Sequence, residues 1–229
     1  MVRQGASSER GFTLIEFMIA GLITTVVLGG TMMLASQLQQ AYTTQLDDAA
    51  VEEEARFSLD WIEQALRNAG SNPYSINSLV SSCPGAGTFA AIDIDGDADG
   101  DLVTTDDIRI LADISPPNGL IGSTVAGACD PTSTNEDITI AFDNANLVLT
   151  RQDNTVDANP VVMTEPIITA VQFAYFLADG VTATANENLV SYVRVRVTGQ
   201  SVPKQNIYDV DNAFTTTTLE TMVRIRIRS

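Results

Sequence analysis

Residues 12–35 read Phe-Thr-Leu-Ile-Glu-Phe-Met-Ile-Ala-Gly-Leu-Ile-Thr-Thr-Val-Val-Leu-Gly-Gly-Thr-Met-Met-Leu-Ala, 24 residues with one charge, Glu16. At ~1.5 Å per residue a helix over this stretch reaches ~36 Å, enough to cross a bilayer with some tilt. Before it lies a short polar segment, Met1 to Gly11, carrying Arg3 and Arg10; after it come Asp47, Asp48 and Glu52 to Glu54. That charge order predicts an N-terminus on the cytoplasmic side and export of the rest. A secretory signal shares the pattern, but here no small-residue cleavage site follows the apolar run; Ser36 opens a glutamine-rich helical continuation instead. Glu16 is the anomaly. A carboxylate inside an apolar run costs ~2.5–3.5 kcal/mol at mid-membrane and less near the interface. It either snorkels to the headgroups or waits, buried, for a cation.

Composition narrows the function classes. The 229 residues hold 12 basic and 29 acidic side chains, net −17, and no histidine. The negative field repels phosphates, so nucleic acid is not an expected partner. Without imidazole, Ser-His-Asp and Cys-His catalysis and histidine zinc sites are excluded. A hydrolase would have to work through paired carboxylates, and we expect no enzyme. At 45% hydrophobic residues, a packed core is available. Cys83 and Cys129 are too few for a structural zinc site; they suit one disulfide if the domain is exported and two thiols if it is not.

Gly11-Phe12-Thr13-Leu14-Ile15-Glu16, with the short basic leader and the apolar helix behind it, resembles the processing motif of type IV pilins. The resemblance implies cleavage after Gly11 by prepilin peptidase, N-methylation of the new terminus at Phe12, and a leader spanning 1–11. It also implies that Glu16 pairs with the N-terminal amine of a neighbouring subunit during assembly. An ammonium and a carboxylate attract strongly where the dielectric is low, and each alone is poorly solvated there.

The helix is expected to run on. Residues 36–69 contain no Gly or Pro, and Ala55, Leu59, Ile62, Leu66 and Ala69 form an apolar stripe at helical spacing, ending at Gly70 and Pro73. Residues 71–229 switch to short alternating segments and predict a β-rich head. The strand candidates are Phe89–Ile94, Ile108–Ala112, Ile138–Phe142, Leu147–Arg151, Ile167–Leu177, Leu189–Thr198 and Leu219–Arg228, with a hairpin turn at Asp143 to Asn146. The expected fold is α+β: a type IV pilin-like fold with a transmembrane segment (12–35), a soluble helical half (36–70) and an antiparallel sheet head.

Ala55-Arg56-Phe57-Ser58-Leu59-Asp60, Leu66-Arg67-Asn68-Ala69-Gly70, Leu149-Thr150-Arg151 and Val193-Arg194-Val195-Arg196-Val197 are similar to stretches of PilW-type minor pilins, as is the end Val223-Arg224-Ile225-Arg226-Ile227-Arg228. The resemblance implies a minor pilin near the filament tip that primes assembly. Its partners would be other minor pilins, the major pilin, prepilin peptidase and the inner membrane before assembly, with the head in the periplasm and then on the cell surface. The J-type pseudopilin of type II secretion shares this plan, and a membrane-anchored, calcium-stabilised adhesin is the alternative from another class. The alternating arginines are expected either to face water and nearby carboxylates or to form a basic face for an acidic neighbour.

Asp95-Gly96-Asp97-Ala98-Asp99-Gly100-Asp101 matches the D-x-D-x-D-G calcium loop, with Asp106 at position 12. Asp95, Asp97, Asp99 and Asp106 would ligate through carboxylates and Asp101 through its carbonyl; a solvated acidic turn is the competing reading.

Overall fold

A computed structural model describes residues 12–72, 90–94, 106–114, 121, 135–201 and 215–226. One helix, α1, covers Leu14–Asn68 without interruption. The chain divides into two compact units, residues 1–46 and 47–229.

In the first unit every described residue from Phe12 to Thr43 is exposed. Its apolar window has a mean hydropathy of 2.0 and none of it is buried. The hydroxyls bond inward to the helix's own carbonyls: Thr24 to Ala20 (2.7 Å), Thr25 to Gly21 (2.8 Å), Thr31 to Leu28 (2.9 Å) and Ser36 to Met33 (2.8 Å). Such back-bonding satisfies each donor without water, so the threonines add no polar demand to the helix surface.

In the second unit the helix buries Val51, Ala55, Ser58, Leu59, Ile62 and Leu66, a face with the 3.6-residue period. Ala69 continues it, so the whole stripe expected from spacing is core. It packs with residues of two antiparallel sheets. One is a five-stranded meander: β1 (Ile92–Asp93), β2 (Asp107–Leu111), β3 (Asp137–Asp143), β4 (Val148–Asp153) and β5 (Val161–Val162). The other has three strands: β6 (Ile168–Phe176), β7 (Tyr192–Gln200) and β8 (Thr216–Arg224). Val171, Phe173 and Tyr175 of β6 and Val193, Val195 and Val197 of β7 point to the core, as their alternation predicts. The α+β class with a helix against antiparallel sheets is thus observed.

The ends of strands depart from the sequence reading, for local reasons at β4, β6 and β7 and through cross-strand pairing at β8. Leu147 has φ 58° and closes a four-residue turn, so β4 begins at Val148. That turn is built by Asp143, whose carboxylate accepts the N–H groups of Ala145 (2.9 Å) and Asn146 (3.1 Å) and the Asn146 side-chain amide (2.6 Å). Residues Glu187–Leu189 form a 3-10 turn capped by the Asn186 side chain, which delays β7 to Tyr192. Leu177 lies beyond β6, its N–H donating to the Thr182 carbonyl at 2.9 Å. β8 starts at Thr216, earlier than expected, because its threonines pair with the end of β7 up to Gln200. The candidate strand from Phe89 shrinks to Ile92–Asp93; Phe89 itself, Ile227 and Arg228 lie outside the described residues.

Gly70 ties the helix end to both sheets. Its N–H donates to the Leu111 carbonyl of β2 (3.0 Å), and Arg226, just past β8, lies against its α-carbon. With φ at +72°, and with Ala91 placed 2.9 Å from where a β-carbon would stand, only glycine fits. We expect Gly70→Ala to lower stability by about 2–4 kcal/mol, from the left-handed backbone penalty and overpacking together. Thermal melting of the detergent-solubilised chain checks this, and a change below ~0.5 kcal/mol, the range of ordinary surface substitutions, contradicts it.

The hairpin makes a pH prediction. Hydrogen bonds from Asn146 and Ala145 hold the Asp143 carboxyl below its ordinary range. A lowered folded-state value contributes stability above the unfolded value, about 4, which fades as pH falls through the folded one. Asp143→Ala is therefore expected to destabilise at neutral pH and to approach the parent as pH falls below the ordinary carboxylate range, measured by denaturant titration at neutral and at acid pH.

Candidate functional site: the start of the apolar helix

Thr13 is the residue before the helix and Glu16 the third within it. The Thr13 N–H and its hydroxyl both donate to Glu16 Oε2 at 2.9 Å, and the Glu16 N–H returns a bond to Thr13 Oγ1 at 3.3 Å. This reciprocal closure is a capping box, satisfying two backbone donors that the first turn leaves without helical acceptors. The carboxylate also sits at the positive end of the helix dipole.

The arrangement changes how the anomalous acid is understood. The sequence posed a choice between snorkelling and waiting for a cation; the structure supplies a third set of partners within four residues. Both Thr13 donors converge on Oε2, leaving Oε1 without a partner among the described residues. Glu16 is thus partly satisfied and still open to one more donor. After it the chain carries no charge until Asp47, so no other ionic group on the apolar segment can serve it. Thr13 was missed by the sequence reading, though its signal was present: Thr-x-x-Glu directly before an apolar run.

The other expected sites divide as follows. Gly11 lies outside the described residues, and Phe12 is exposed just ahead of the helix. Cys83, Cys129, Asp95, Asp97, Asp99 and Asp101 all lie outside the described residues. Asp106 is half-buried in the turn entering β2, and its carbonyl accepts the Phe142 N–H at 3.1 Å. Among the described residues no three acidic or sulfur side chains cluster so as to hold a metal ion.

Several carboxylates that the sequence left unremarked are buried. Asp137 takes a bidentate pair from Arg109, Nε to Oδ1 at 2.7 Å and Nη2 to Oδ2 at 2.6 Å. Asp153 accepts the N–H groups of Asn135 (2.7 Å) and Thr155 (3.0 Å), and Glu136 accepts that of Ile114 (3.2 Å). Each replaces water for a turn or strand end, a structural task. Nothing in spacing marks these acids out from the exposed ones; most of their partners, Arg109 of β2, Asn135 and Ile114, are distant in sequence.

No protein-family model, no characterised protein and no solved structure matches this chain. What fold and site define is an α+β protein with one helix, among the described residues, long and apolar enough to serve as a membrane anchor, opened near the N-terminus by a carboxylate-closed cap.

Loss of the cap is measurable. Thr13→Ala removes one side-chain acceptor and one donor and is expected to cost ~1 kcal/mol of helix stability at the first turn. Amide hydrogen exchange at residues 14–17 of the chain in lipid nanodiscs should then speed up about fivefold, 1 kcal/mol being roughly that factor. Unchanged protection contradicts the assignment.

Proposed function

We propose that this chain is a pilin-like assembly subunit, a PilW-type minor pilin. It would be held in the inner membrane by residues 12–35 with its head in the periplasm, then drawn into a type IV pilus, where it primes or supports assembly near the tip. The observation that carries the reading is the half-satisfied Glu16. It opens a helix that is exposed on all sides from Phe12 to Thr43 and has no further charge before Asp47. A helix so bare requires lipid or other apolar helices around it.

Cleavage after Gly11 would create an ammonium at Phe12, and a neighbour's ammonium is the donor that Oε1 lacks. With no competing charge along the segment, that ion pair sets the depth at which one helix stops against another. The methyl expected at Phe12 keeps the charge. The helix supplies adhesion to the assembly, and the β-rich head is what the assembly displays. Calcium in the 95–106 loop and a Cys83–Cys129 bridge, which would add about 4 kcal/mol in the chain-entropy account, are accessory proposals of an exported head.

Two measurements test the reading. Intact mass of the purified protein should show loss of Met1–Gly11 and gain of one methyl group; a retained leader in cells with an active processing protease refutes it. Glu16→Gln separates cap from charge, because glutamine serves equally in a capping box but offers no anion. We expect Glu16→Gln to leave exchange protection of the first turn intact and to cut incorporation into pili by tenfold or more. Normal incorporation would reduce Glu16 to a helix cap.

A further inference from the structure

The sheet formed by β6, β7 and β8 has the opposite charge from the rest of the chain. β6 carries no charged side chain; β7 and β8 carry Arg194, Arg196 and Arg224 against one acid, Glu220, and Arg226 follows two residues on. That is an excess of three positive charges in a chain of net −17.

The cations share the sheet's outer face. Along β7 the valines Val193, Val195 and Val197 are buried, so the residues alternating with them, Arg194 and Arg196, point away from the core. On β8, Glu220, Met222 and Arg224 are exposed. Arg196 lies opposite Glu220 and pairs with it at 3.0 Å, which neutralises that spot. Arg194 lies opposite Met222, and Arg224 opposite Tyr192, so the two arginines are diagonal neighbours, roughly 7–8 Å apart by sheet geometry. The Arg194 guanidinium stands 4.9 Å over the Phe176 ring, which holds it in place. Among the described residues, the ion pairs of this face stop at Arg196 and Glu220.

We infer that Arg194, Arg224 and Arg226 form a docking surface for the carboxylates of a neighbouring protein, with Met222 at its edge, opposite Arg194. Guanidinium groups spaced along a rigid sheet suit bidentate contact with two or more Asp or Glu side chains. An anionic membrane suits the face poorly. Gln172, Thr198, Thr216 and Thr218 make it flat and polar, Met222 is its one exposed large apolar side chain, and three cations hold an anionic leaflet weakly against a net charge of −17. The inference rests on the sheet's charge and not on how the N-terminal helix is used.

The test places the photo-crosslinking residue p-benzoylphenylalanine at Met222 in the full-length chain in living cells, with the same residue at exposed Val181 as control. The expected product is an adduct to a protein segment holding at least two Asp or Glu within six residues, identified by peptide mass mapping. Its yield should fall tenfold or more in Arg224→Glu/Arg226→Glu, and return when those acids are changed to lysine. Both arginines are exposed, so the melting temperature of the double variant should match the parent and exclude a folding defect. Adducts to lipid alone, a protein segment without carboxylates, a yield indifferent to the double variant, or no adduct above the Val181 control would each overturn the inference.

Discussion

Burial of one helix face organises the head. Ala55, Ile62, Leu66 and Ala69 are fully removed from solvent by residues from both sheets, and every core cluster residue beyond the helix belongs to a strand or its flank. The stripe supplies a layer against which the sheets bury their inner faces, since a sheet with one apolar face needs another layer. The close approach is visible at both ends. Val51 sits 2.7 Å from where a β-carbon on Gly199 of β7 would be, and Gly70 is crowded by Ala91 and Arg226. Glycines at these two points let backbone meet helix.

The same helix answers to two solvents. From Phe12 to Thr43 every residue is exposed and the threonine and serine hydroxyls bond within the helix; from Val51 onward it is amphipathic and its exposed face carries i,i+4 pairs such as Glu52–Arg56 and Glu63–Arg67. Those surface pairs contribute little individually. They matter as solubilising decoration on a helix whose other face is committed to the core. Glu16 belongs to neither regime. Local donors from Thr13 make its charge tolerable at the head of an apolar run, while its second oxygen stays available. A fully satisfied carboxylate would have no reason to seek a partner, and an unsatisfied one would resist entering an apolar layer.

Charge is similarly divided in the head. The acids in the five-stranded sheet are drawn inward by Arg109 and by backbone N–H groups, whereas the arginines of the three-stranded sheet are pushed outward by the valines alternating with them. Burial of a carboxylate is favourable only when donors replace its hydration; here they are Arg109 in the middle of β2 and backbone N–H groups in the segments flanking β2, β3 and β4. Of the outer arginines, Arg196 pairs with Glu220 and Arg194 lies over the Phe176 ring, while Arg224 is exposed to solvent.

How much of this was legible in the chain depends on the range of the interactions. The apolar run, the stripe from Ala55 to Ala69, the stop at Gly70, the alternation in β6 and β7 and the Asp143 turn are local patterns, set by the 3.6- and two-residue periods and by short-range hydrogen bonds, and the sequence alone determined them. The two-residue strand β5, the threonine-rich first half of β8 and the partition into two sheets were decided only by tertiary structure. Val161 and Val162 form a strand because β4 offers an edge, and Thr216 to Thr218 because β7 extends to Gln200. Pairing between distant residues supplies that information, and no single stretch of chain contains it.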